Sequence, residues 1–160
     1  MLAEYAQHAI AFGEARTLEK ELRQAIGRNW SDQLVMLYGQ LPDSDPDSRL
    51  KQTEKWQKAQ PNNPILQLSI ARLAAATGDR AKARQHFEAS IAVEPTPEAC
   101  AELARLLATD GDRDPAIEFF DRAIRLYQGE SISDSAENVL LSDESVIESE
   151  ALPPAEQAHS

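Results

Sequence analysis

Two stretches of this chain repeat one another 33 residues apart. Ala71-Arg72-Leu73 leads to Gly78-Asp79-Arg80, Ala83, Phe87 and Ile91, and Ala104-Arg105-Leu106 leads to Gly111-Asp112-Arg113, Ala116, Phe120 and Ile124. Apolar residues within each unit recur every three to four positions, which is the period of a helix and not of a strand. A helix pair of this size cannot bury its own apolar face, so it must stack on a neighbour. The expected fold is therefore all-α, a solenoid of helical hairpins.

The punctuation agrees with that expectation. Leu66, Ile70, Leu73 and Ala74 form one face of a first helix, and Ala83, Phe87, Ser90 and Ile91 the matching face of a second. Gly78 ends the first helix and Asp79 caps the next, with Gly111-Asp112 as the equivalent pair. Asn63-Pro64 and Thr96-Pro97 put a capping side chain before a proline at the first helical position, while Pro61 and Pro95 stop the helices before them. Upstream, Gly13, Leu18, Leu22 and Ala25 fall two repeat lengths before Gly78, Ala83, Phe87 and Ser90. A degenerate pair lies between, from Ser31 to about Gln40 and from about Ser48 to Gln60, joined by the polar connector 41–47. The count is four hairpins: 1–28, 31–60, 63–94 and 97–128.

Charge separates these hairpins from the C-terminal stretch. Residues 129–160 hold eight acids and no Lys or Arg, while residues 1–128 hold nineteen acids and sixteen bases. The division is a solenoid over 1–128 and an acidic, flexible tail over 129–160. The alternative for the tail is a short amphipathic helix over Asn138–Ile147 that docks on the solenoid or on another copy. No basic stripe exists for a phosphate backbone, so nucleic acid is not an expected partner. No apolar run is long enough to span a bilayer. The start Met1-Leu2-Ala3-Glu4 enters a helical pattern at once, which suggests a piece of a longer protein.

Ile70-Ala71, Gly78, Ala83, Phe87, Ser90 and Pro95, repeated as Leu103-Ala104, Gly111, Ala116, Phe120 and Ala123, resemble the tetratricopeptide repeat. That family sets small residues where helices cross and an aromatic in the second helix; its usual period is ~34. The tryptophan of its first helix is missing here, with Gln67 and Cys100 in that place. A narrower resemblance covers most of residues 5–128: Trp30-Ser31-Asp32-Gln33-Leu34-Val35, Leu37-Tyr38-Gly39, Trp56, Gln60-Pro61-Asn62-Asn63-Pro64, Ala81-Lys82-Ala83-Arg84 and Phe87-Glu88-Ala89-Ser90 are similar to the repeats of the bacterial HemY family associated with haem biosynthesis. The resemblance implies a right-handed superhelix, an inner-membrane anchor preceding this segment, and protein or peptide partners, haem-pathway enzymes among them. This segment itself has no expected membrane contact.

Carried over residue by residue, the repeat family's groove positions are Ile65, Leu68, Arg72, Ala75 and Ala76 in the third pair and Glu98, Ala101, Arg105, Ala108 and Thr109 in the fourth. Gln7 and Ile10 join them from the first pair, Leu34 and Tyr38 from the second. Arg72 and Arg105 offer forked hydrogen bonds to carboxylates of an acidic or C-terminal peptide; the other reading is that each pairs with a local acid, for example Arg105 with Glu102 or Glu98, or is simply solvated. A protein-interaction scaffold is thus the leading expectation, with Arg72, Arg105 and Tyr38 as anchors over Leu34, Leu68 and Ile65. The alternatives are a porphyrin carrier with its propionates on the arginines, and self-assembly through the tail or an end hairpin.

No enzyme activity, metal or cofactor is expected. His8, His86 and His159 lie apart with no ligand spacing, and His86 is expected to face solvent. Cys100, flanked by Ala99 and Ala101, reads as a small buried residue. Asp79 and Asp112 read as caps, Trp30, Trp56 and Tyr5 as packing residues, and Tyr127 as a packing residue or a cover for the last apolar face.

Overall fold

The structure, a computed structural model, describes residue 4 and residues 15–42 and 45–129. Among them are seven α-helices and no strand: α1 (Ala15–Arg28), α2 (Asp32–Gln40), α3 (Pro46–Gln57), α4 (Pro64–Thr77), α5 (Arg80–Val93), α6 (Pro97–Asp110) and α7 (Arg113–Tyr127). Gln7, the first helix of the first hairpin and the tail beyond Gly129 lie outside the described residues.

Each boundary has a local cause. The side chains of Ser31, Asp45, Asn63, Asp79 and Thr96 accept from backbone N–H groups in the first turns of α2 to α6, supplying acceptors for donors that the helices leave unpaired. Pro46, Pro64 and Pro97 follow three of these caps, where a missing N–H costs nothing. Gly78 and Gly111 end α4 and α6 at φ 86° and 91°, in the left-handed region that side chains avoid. Two expectations need correction. The degenerate second hairpin starts its second helix at Pro46 rather than near Ser48, because Asp45-Pro46 repeats the cap-and-proline signal. Asp112 makes no capping bond; its carboxylate instead accepts from Arg84 Nη1 at 3.2 Å.

The helices pack α1 on α2, α4 on both α2 and α3, α4 on α5, α5 on α6 and α6 on α7, the sequential stacking of a solenoid. One apolar core runs through them and includes Leu22, Val35, Leu66, Ile70, Leu73, Leu103 and Leu107. Small residues set the helix spacing. A Cβ on Gly39 of α2 would stand 2.8 Å from Ser69 Cβ of α4, and Ser69 Oγ donates to Val35 O at 3.1 Å across the same contact. Trp30, Trp56 and Tyr38 form an aromatic cluster at the second hairpin, with Trp56 5.0 Å from Tyr38 and 6.1 Å from Trp30 between ring centroids. The two tryptophans are packing residues, as expected.

Candidate functional site

The 33-residue register brings equivalent faces of α4 and α6 side by side. Arg72 and Ala75 are three residues apart on α4, and Glu102, Arg105 and Thr109 occupy one face of α6; helical spacing aligns each set. Together with Arg80, Phe87 and Leu106 they line an open groove of about 280 Å³. Four residues expected at a groove, Arg72, Ala75, Arg105 and Thr109, therefore meet in one place.

The two arginines are not alike within it. Arg72 grips Glu102 through a fork, Nη2 to Oε1 at 2.6 Å and Nε to Oε2 at 2.9 Å, and both side chains are largely buried. Charge-assisted, two-point hydrogen bonding of this kind fixes orientation as well as charge. Arg105 is exposed and makes no ion pair with a described residue. Thr109 turns its hydroxyl back onto Arg105 O at 2.8 Å, so its proton already has an acceptor. The groove thus presents one open guanidinium from α6 together with the small apolar Ala75 of α4, and the Arg72–Glu102 ion pair bridges the two helices.

Other expected residues lie elsewhere. Tyr38 is fully buried, its hydroxyl donating to Glu19 Oε1 at 2.8 Å; burial and that carboxylate push its ionisation far above the ordinary tyrosine range. It is a core residue and offers a partner no anchor. Leu68 is likewise buried. Leu34 and Ile65 are half-buried against the core and do not line this groove. His86 does not face solvent: it is half-buried, its Nδ1 lies 2.6 Å from Gln67 Oε1, and desolvation, with Lys82 nearby, lowers its pKa. That contact ties the imidazole to α4 through Nδ1. Cys100 is buried, as its neighbours predicted. Among the described residues no group of His, Cys, Asp or Glu has the arrangement of a metal site, and no helix is long and apolar enough to cross a membrane.

The pairing rule that organises the groove is written in the sequence, but only the stacking of the hairpins shows it. Glu102 lies three residues before Arg105, the repeat equivalent of Arg72, and Asp110 lies three before Arg113, the equivalent of Arg80. Arg80 pairs with Asp110 just as Arg72 pairs with Glu102, and also donates to Leu106 O at 3.2 Å. A basic residue in one hairpin thus finds an acid three positions ahead of its counterpart in the next. Such pairs at 30-residue separation reveal stacking order.

Residues 97–129, which span α6 and α7 and end at Gly129, match the tetratricopeptide repeat family. Solved structures resemble the chain over most of its length. A thermophilic tetratricopeptide-repeat protein of Thermus thermophilus is 19% identical, covers 78% of this chain and 71% of its own, and gives a TM-score of 0.65. A structure of MamA is 14% identical, covers 80% and 77%, and gives 0.62; a second MamA structure gives 0.58 at 14% identity, covering 78% and 70%. At these identities the likeness establishes the fold alone. No curated protein sequence matches the chain significantly. The fold is an all-α tetratricopeptide solenoid.

Proposed function

We propose that the chain is a protein-interaction scaffold that captures a peptide carrying a carboxylate next to a small apolar side chain in the groove between α4 and α6. One observation carries the reading: Arg105 stands open on a wall whose neighbouring arginine, Arg72, is already held by Glu102. The guanidinium supplies a forked site for a carboxylate, and the ion pair keeps the wall rigid, so little ordering opposes binding. Nothing in this reading needs a catalytic step, and the protein acts as a non-enzymatic platform.

The HemY-like features of residues 5–128 support a narrower setting. In it the solenoid is the exposed part of a membrane-anchored protein that gathers haem-pathway enzymes. Labelled acidic peptides, and the haem-pathway enzymes themselves, are the reagents for the test. Arg105→Ala is expected to weaken capture about tenfold or more, the size of a lost charge-assisted pair. Capture that is indifferent to Arg105→Ala removes the groove proposal, while peptide binding without enzyme binding removes only the haem setting.

A further inference from the structure

The solenoid leaves a slot at its C-terminal end. Ala101 and Arg105 of α6 and Phe120, Ile124 and Tyr127 of α7 line a groove of about 310 Å³. In the preceding hairpin the matching surface is covered, since α6 lies on α5. Phe87 and Ile91 are 3% and 5% exposed there, whereas their repeat equivalents Phe120 and Ile124 are 37% and 57% exposed. Tyr127, one candidate for covering this face, is itself 84% exposed. A terminal repeat that shows this much apolar surface requires a cap with a polar outer side.

We propose that residues 131–143 of this same chain form that cap, a fifth first-helix seated between α6 and α7. The argument is one of register. The buried positions of α6 are Ala99, Cys100, Leu103, Ala104, Leu106 and Leu107. Thirty-three residues on stand Ile132, Ser133, Ala136, Glu137, Val139 and Leu140. Five of the six are apolar or small, and Glu137 makes one flank polar. Charge follows the same register. Arg80 pairs with Asp110; 33 residues on, the pair is Arg113 and Asp143, both types retained, and Arg113 has no ion pair among the described residues. Where α6 presents Glu102 to Arg72, the tail presents Ser135, so docking brings Arg105 no carboxylate at that position. The chain also needs no long connector, because Gly129, at φ 81°, already turns it out of α7.

Hydrogen–deuterium exchange on the full 160-residue chain tests this, with light scattering on the same samples. Amides of 131–143 are expected to be protected in a monomer, independently of dilution. Asp143→Arg and Arg113→Glu are each expected to speed their exchange about fivefold, with the double reversal restoring protection, and Ile124→Asp is expected to release the segment. Exchange of 131–143 at the rate of unstructured chain overturns the proposal. So does protection that vanishes on dilution together with a dimer, which assigns the slot to a second copy, and so does protection indifferent to Ile124→Asp and to both charge reversals. Peptide capture through Arg105 is a separate readout, so either proposal can fail alone.

Discussion

The Arg72 guanidinium and the Glu102 carboxylate, 30 positions apart in sequence, meet face to face in a two-point contact with Nη2 2.6 Å from Oε1. The contact joins the first helices of two successive hairpins and leaves Arg72 Nη1 buried without a partner. It therefore links successive repeats and occupies Arg72 Nε and Nη2. Removing one partner strands the other in a poorly solvated wall. Arg72→Ala or Glu102→Ala is expected to lower unfolding free energy by about 1–3 kcal/mol in urea titrations. Arg84→Ala, whose partners Glu88 and Asp112 are half exposed, is expected to leave the midpoint unmoved.

Gly39 tests the close approach of α2 to α4. Its added Cβ would meet Ser69 Cβ and Oγ at 2.8 Å, and Ser69 is held by its bond to Val35 O. The helices must separate to admit a methyl group. Gly39→Ala is expected to destabilise by about 1–3 kcal/mol, despite the gain in helix propensity that alanine brings. Adding Ser69→Gly in the same chain should recover part of that loss; thermal melts of the single and double variants decide it.

His86 predicts an acid-side loss of stability. Its pKa in the folded chain is lowered below the ordinary value of 6.5, chiefly by desolvation and then by Lys82, with Glu54 opposing. The unfolded chain consequently binds the proton more readily. The folded state is at no disadvantage well above the ordinary value, and stability falls as pH drops through it toward the lowered folded value. His86→Gln is expected to flatten this part of a stability-against-pH curve. A variant with an unchanged slope between about pH 7 and 5 refutes the assignment.

Cys100 is fully buried, and burial raises its thiol pKa. Both effects suppress thiolate attack. In the native chain the thiol is expected to be silent to a disulfide reagent over hours at about pH 8, and to react within minutes in denaturant. The rate of native labelling then reports the opening of α6. Fast labelling of the folded protein contradicts the packing described for this helix.

Much of the architecture is legible in the sequence because its signals are local. The cap-and-proline pairs at Asn63-Pro64 and Thr96-Pro97, the glycines at 78 and 111, and the apolar faces of α4 and α5 each depend on residues within a few positions of one another. Asp45-Pro46 carries the same signal inside a polar connector that hides it. Asp112 departs from its expected role because a cap competes with any cation in reach, and Arg84 of the preceding hairpin is in reach. The groove is half legible. Helical phase puts Arg72, Ala75, Arg105 and Thr109 on one surface, but phase alone does not say how deeply a position is covered. Tyr38 shares that phase and is nonetheless enclosed by Trp56 and by contacts from α1. His86 departs from expectation for the same reason, since the helix preceding its own reaches it through Gln67.

The sequence by itself determined the repeat, the helix ends, the small residues at crossings and the division of charge between hairpins and tail, because each follows from spacing and from bonds that close within a turn. Only the tertiary structure decided which of two equivalent arginines stays open. Arg72 has a further hairpin in front of it to supply Glu102; among the described residues Arg105 has none. Identical residues at equivalent positions acquire different chemistry because the partner of each comes from the next hairpin along, which is described for Arg72 and not for Arg105.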